Sequence, residues 1–212
     1  MKTFASLLDA LIDAPPDRHS AIEGLILSTF QRQRAVLALD MSGFTMTVRR
    51  EGILAYLCQI RRMQKLTCPI VLAFGGEVVK NEADNLLAVF EDPERAVRAA
   101  LAMQDAAAQG SGSTQPVIAL SIGIDFGSLL LIDGVECFGD AVNFAYKLGE
   151  DIARPGEVLI TSNVGSYLSA CNDLTLSEMQ ISISGLEVKS FSVMRNSTMA
   201  LDTPKFSQGS EQ

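Results

Sequence analysis

A chain of 212 residues is of single-domain size, and a 48% hydrophobic content supplies apolar surface enough for a substantial core. A mean hydropathy of +0.23 excludes a disordered chain. The net charge of -8 and the pI near 4.7 argue against a nucleic-acid partner, and the longest apolar runs are strand-sized, far short of a bilayer span.

Residues 4–13 place Phe4, Leu7, Leu8, Leu11 and Ile12 at the three-four spacing of an amphipathic helix, which Pro15-Pro16 stops. Acids interrupt this segment and only Lys2 precedes it, so it fails as a signal peptide, and a cytoplasmic location is expected. A second helical stretch aligns Ile22, Leu25, Ile26 and Phe30 on one face. Together the two form an N-terminal helical arm, residues 1–33, that packs on the domain or on a second subunit.

The run Ala35-Val36-Leu37-Ala38-Leu39 predicts a buried strand over 34–40 that ends in a carboxylate, Asp40. Residues 43–74 read as one long helix or two in succession, broken near Pro69 and ended by Gly75-Gly76. A β-hairpin follows over 77–90, with Asp84 at the start of its returning strand. Asp92-Pro93-Glu94 then opens a helix to about Gln109, with an N-cap acid, a first-turn proline and a second acid at the positive end of the dipole. Gly110-Ser111-Gly112-Ser113 is a connector within one domain, because the β pattern resumes at Val117. Val117 to Ile132 reads as two strands around Gly123 to Gly127. A helix over about 140–153 stops at Pro155-Gly156, and strand Val158-Leu159-Ile160, a short helix from Ser162 and two strands near 174–183 and 187–194 complete the order. The polar tail, residues 196–212, is expected to be disordered. This order predicts an α+β, ferredoxin-like core over residues 34–195, a mixed sheet with helices packed on it.

Cys58, Cys68, Cys137 and Cys171 form no CxxC pair, and His19 is the single histidine, so neither a zinc site nor a disulfide framework is indicated. Arg49-Arg50 and Arg61-Arg62 read as the solvated face of a helix. More informative is the stretch Asp40-Met41-Ser42-Gly43-Phe44-Thr45. A carboxylate at a strand end, followed by a small turn that opens a helix, sets a hard oxygen ligand beside free backbone N–H groups. A metal-bound polyphosphate needs that combination. The second block, Val78-Val79-Lys80-Asn81-Glu82-Ala83-Asp84-Asn85, adds the second carboxylate, and the third, Phe138-Gly139-Asp140-Ala141-Val142-Asn143-Phe144-Ala145-Tyr146-Lys147, opens a helix.

In this order the three blocks resemble the class III adenylate/guanylate cyclase catalytic domain. The resemblance implies a nucleotidyl cyclase that joins the ribose 3′-oxygen of a nucleoside triphosphate to its α-phosphate and expels pyrophosphate. It implies two divalent ions, Mg²⁺ or Mn²⁺, held by Asp40, Asp84 and the main-chain carbonyl of Met41, with Ser42, Gly43, Phe44 and Thr45 presenting amides to the phosphates. Lys80 and Glu136 match the base-reading positions, a donor and an acceptor that suit adenine. Asn143 matches the ribose-orienting asparagine, and Lys147 stands where the family has a transition-state arginine. The family's sites lie at a dimer interface, so a homodimer with two shared sites is implied, with no membrane or nucleic acid involved.

The chain departs from the pattern at three further places. Ala83 replaces a glycine, Ile183-Ser184-Gly185 lacks a triphosphate lysine for which Lys189 is the nearby substitute, and Glu136 stands for the usual aspartate with Cys137 one residue from a guanylate-selective position. ATP is the favoured substrate. GTP, a pyrimidine triphosphate, or a degenerate domain that only binds nucleotide or dimerises are the alternatives.

Overall fold

The computed structural model describes residues 3–42, 44–109, 118–132, 134–183 and 186–196. Helix α1 (Phe4–Asp13) is capped by Thr3, whose hydroxyl accepts from the Ser6 N–H at 3.2 Å. Helix α2 (Pro16–Phe30) begins on proline with Asp17 in its first turn. Phe4 joins this arm to the body, edge-to-face with Phe30 at 5.1 Å and stacked on Phe138 at 6.1 Å.

Strand β1 (Gln31–Met41) leads into helices α3 (Phe44–Glu51) and α4 (Ile53–Ala73), then the hairpin of β2 (Glu77–Glu82) and β3 (Asn85–Phe90). Helix α5 (Pro93–Gln109) precedes β4 (Leu120–Ile132), the short β5 (Glu136–Phe138) and α6 (Asp140–Tyr146), which continues as a π-helical turn over Lys147–Ile152. Strand β6 (Val158–Thr161), helix α7 (Ser162–Gly165) and strands β7 (Leu174–Ile183) and β8 (Leu186–Arg195) close the chain. The strands form one eight-stranded mixed sheet in the order β2-β3-β1-β4-β6-β8-β7, with β5 paired to the far end of β4. The α+β class and mixed sheet expected from the sequence are those of the molecule.

Side-chain alternation along β1 divides the core. Ala35, Leu37, Leu39 and Met41 join the main cluster with Met63 and Val71 of α4 and Val97, Ala100 and Met103 of α5. Val36 and Ala38 join a second cluster on the opposite face with Ala141, Val142 and Ala145 of α6. Burial on both faces explains the unbroken apolar run, and each fully buried large side chain contributes roughly 1.5–3 kcal/mol.

Three expectations are corrected. The helical stretch after β1 breaks at Gly52, whose φ of 87° lies in the left-handed region, while Pro69 sits inside α4. Proline removes one backbone hydrogen bond there, but the buried Thr67, Ile70 and Val71 on either side hold the helix on the core. Residues 120–132 are one strand, because β1 pairs with it from Gln31↔Leu130 to Met41↔Leu120 without interruption. β1 itself starts at Gln31, inside the segment assigned to the arm. Residues 197–212, expected to be disordered, lie outside the described residues.

Candidate active site

Asp40 lies near the end of β1, paired with Asn85 of β3 on one side and Ser121 of β4 on the other. Asp84 occupies the turn before β3, where Ala83 takes a φ of 49°. The left-handed turn is thus made without the glycine, at a cost on the order of 1 kcal/mol. The Met41 N–H donates to the Asp84 carbonyl at 3.2 Å, tying the two aspartate-bearing segments together. Burial first, then the charge of Asp84, pushes the Asp40 carboxyl up, while the Met41 amide pulls it down.

Two further groups converge on this pair. Tyr56 of α4, 2% exposed, donates its hydroxyl to Asp84 Oδ2 at 2.5 Å, and burial followed by that bond raises its own proton affinity. Asn85 donates from Nδ2 to Glu150 Oε1 at 2.6 Å. Burial and then the charges of Asp40, Asp151, Asp84 and Glu82 push the Glu150 carboxyl up.

Among the described residues, no three His, Cys, Asp or Glu side chains form a metal-ligand cluster. The aspartate pair nevertheless fits the divalent ion that the sequence motifs imply. Mg²⁺ is commonly held by one or two carboxylates, with waters and substrate phosphates completing its shell. The like-charge strain on Asp40 is what such a cation relieves.

Of the expected phosphate-binding residues, Ser42 uses its N–H on the Ala119 carbonyl at 3.0 Å. Phe44 and Thr45 begin α3, and Gly43 lies outside the described residues.

Lys80 of β2 and Glu136 of β5 come together in one ion pair, Nζ to Oε2 2.9 Å, with Glu82 Oε2 also 3.3 Å from the ammonium. The hydrogen bond from Lys80 holds the Glu136 carboxyl below the usual range, and the same bond raises Lys80. Beside them the buried Cys137 thiol is pushed up to about 11, by burial and then by Glu136, so it is neutral at physiological pH. Tyr146 packs against the cluster containing Val79 and Cys137.

Asn143 and Lys147 stand on and just beyond α6, which two glycines bring down onto the sheet. A Cβ at Gly149 would lie 2.7 Å from the Ala38 carbonyl oxygen, and one at Gly123 would lie 2.2 Å from that of Ala145. This contact carries Glu150 toward Asp40. Asn143 is exposed, and the Lys147 ammonium pairs with Asp151 Oδ2 at 2.5 Å.

An adenylate/guanylate cyclase/hydrolase from Silicibacter pomeroyi has a solved structure that matches with a TM-score of 0.68 at 28% identity, over 78% of this chain and 98% of that one. The chain has the class III adenylate/guanylate cyclase catalytic-domain fold. The adenylyl cyclase CyaB from P. aeruginosa matches at 0.66 with 22% identity over 78% of this chain and 96% of that one. The catalytic core of a rhodopsin-guanylyl cyclase with converted specificity, in complex with ATPalphaS, matches at 0.70 with 17% identity over 78% and 98%. Uncharacterized proteins of Mycobacterium tuberculosis and Mycobacterium bovis are 28% identical over 171 residues, 78% of this chain but 44% of theirs. The chain therefore spans less than half the length of these curated relatives. No protein-family model matches it.

Within the cyclase fold, Lys189 pairs with Glu178 Oε2 at 2.8 Å and lies over the Phe191 ring, while Ser184 and Gly185 fall outside the described residues. Tyr56, Asn85, Tyr146 and Glu150 were missed by sequence reasoning. Only Tyr56 carried a usable signal: it falls on the buried face of α4 with Met63, Thr67 and Ile70, where a phenol hydroxyl must find an acceptor. Among the described residues no helix is long and apolar enough to cross a membrane.

Proposed function

We propose that the protein is a nucleotidyl cyclase that converts ATP to 3′,5′-cyclic AMP and pyrophosphate in a site shared by two copies of the chain. The observation that carries this reading is the placement of Asp40 and Asp84 side by side at the end of β1, in the fold whose solved examples include adenylyl and guanylyl cyclases. In the reaction the ribose 3′-oxygen forms a bond to the α-phosphorus, the bond to the bridging oxygen of the β-phosphate breaks, and the hydroxyl proton is lost. Asp40, Asp84 and the Met41 carbonyl would hold Mg²⁺ or Mn²⁺, which when bound would supply charge neutralisation and a more acidic 3′-hydroxyl.

The remaining tasks fall to the chain's own groups. The Ser42 N–H is taken by the Ala119 carbonyl, so the amides of Phe44 and Thr45 at the start of α3 would bind the β- and γ-phosphates. Lys80 donates to a ring nitrogen of adenine and Glu136 accepts from its exocyclic amine, so the base inserts into the ion pair they make with each other. Asn143 orients the ribose, and Lys147 offsets charge developing on the α-phosphate, without the bidentate fork of an arginine.

Sharing between two copies is supported by an exposed apolar patch. The first turns of α4, beside Tyr56, expose Ile53, Leu54 and Leu57 at 52%, 74% and 50%.

The test is turnover of the purified protein with ATP, GTP, UTP and CTP at saturating Mn²⁺, alongside Lys80→Glu. The wild type should favour ATP. Lys80→Glu should lower the kcat/KM ratio for ATP over GTP by roughly 10–100-fold, since a buried contact left unpaired costs roughly 1–3 kcal/mol. An unchanged ratio, or a pyrimidine cyclic nucleotide as the main product, would reject the adenylate assignment.

A further inference from the structure

We propose that Tyr56 is a positioning residue for Asp84, locking its carboxylate in the orientation that receives the divalent ion; this rests on the cyclase reading of Asp84. The geometry is specific. Gly52 breaks the helical stretch at a left-handed φ of 87°, so Tyr56 falls in the first turn of α4, close to the end of β1. Its ring belongs to the main core, 2% exposed, and the only polar atom it brings there is the hydroxyl. That hydroxyl donates to Asp84 Oδ2 at 2.5 Å.

Asp84 is therefore held twice. Its carbonyl accepts from the Met41 N–H of β1 at 3.2 Å, and its carboxylate accepts from α4. Ala83, with its φ of 49°, places the residue in a turn that would otherwise let the side chain rotate. With Oδ2 engaged by Tyr56, Asp84 offers Oδ1 to a cation. A hydrogen bond onto a metal-ligating carboxylate is worth 10–100-fold in metal affinity in comparable sites, on the order of the effect expected here. Phenylalanine at position 56 would keep a ring in the core and remove the hydroxyl that makes this bond.

The experiment is Mn²⁺ binding to the purified full chain, followed by the electron paramagnetic resonance signal of free Mn²⁺, for the wild type, Tyr56→Phe and Asp84→Asn. Thermal unfolding without metal accompanies each. Tyr56→Phe should weaken Mn²⁺ binding by about 10–100-fold while its metal-free unfolding midpoint moves by only a few degrees, and Asp84→Asn should lose the site. Wild-type affinity in Tyr56→Phe, with Asp84→Asn defective, would overturn the positioning role and leave the cyclase reading standing. Wild-type affinity in Asp84→Asn would overturn both. In the wild type, Mn²⁺ should also perturb tyrosine absorption in the near ultraviolet, and an unperturbed spectrum would contradict the coupling even if Tyr56→Phe failed to fold.

Discussion

Burial and a neighbouring negative charge both oppose ionisation of Asp40, yet metal binding needs it ionised. A carboxyl whose pKa is raised by folding stabilises the fold only while protonated. That contribution is full below its ordinary value of 3.8 and is lost as pH rises through the higher folded value. At neutral pH Asp40 therefore costs stability in the metal-free protein. Asp40→Asn should lose cyclase turnover by more than about 100-fold, since even outer partners of a bound metal are worth 10–100-fold. The same variant should melt a few degrees higher than wild type near pH 7 without metal, where about 1 kcal/mol corresponds to ~2–4 °C. Lost activity with a raised midpoint would mark a functional group that strains the fold; calorimetry with an activity assay reads both. Asp40, Lys80, Asp84, Glu136, Asn143 and Lys147 could be picked out before the structure because each sits in a motif of recognisable order. Asn85, Tyr146 and Glu150 could not, because each meets the site through tertiary contacts that no local spacing encodes.

Among the elements, α6 depends most on backbone approach. Gly149 lets the π-helical turn rest on the Ala38 carbonyl, and Gly123 receives it on β4. The sequence offered Gly123 as a turn signal, hence the expectation of two strands where one long β4 exists. A glycine within a strand also marks a place where another backbone comes close, and here that meaning holds. Pro69 likewise predicts a helix break, whereas packing holds the helix there and Gly52 supplies the break. The amphipathic helices and paired strands were legible because their periodicity follows burial. β5 was not, since three residues carry no period. Gly149→Ala should cost about 2 kcal/mol or more, because overpacking typically costs 1–3 kcal/mol and the obstacle here is main chain. The unfolding midpoint should fall by ~4–8 °C. Gly24→Ala in α2, where a Cβ meets nothing within 4 Å, should raise it instead. Equal behaviour of the two variants would contradict the close approach.

For the whole molecule, the functional side chains fall into two neighbouring groups. Asp40, Asp84, Tyr56, Asn85 and Glu150 gather at one end of β1 and β3, while Lys80, Glu136 and Tyr146 gather between β2, β5 and α6. The N-terminal arm reaches the second group, since Phe4 stacks on Phe138 at the end of the strand that carries Glu136. A shared site would pair Asp40 and Asp84 of one chain with Asn143 and Lys147 of another. The decisive measurement is cyclic nucleotide formation from ATP and Mn²⁺ by an equal mixture of Asp40→Asn and Asn143→Ala, each silent alone. Random exchange makes half of the dimers mixed, each with one intact site of two, so the mixture should recover about a quarter of wild-type turnover. A mixture that stays silent after subunit exchange is verified, or a wild type that makes no cyclic product, would contradict a cyclase with sites shared between two copies.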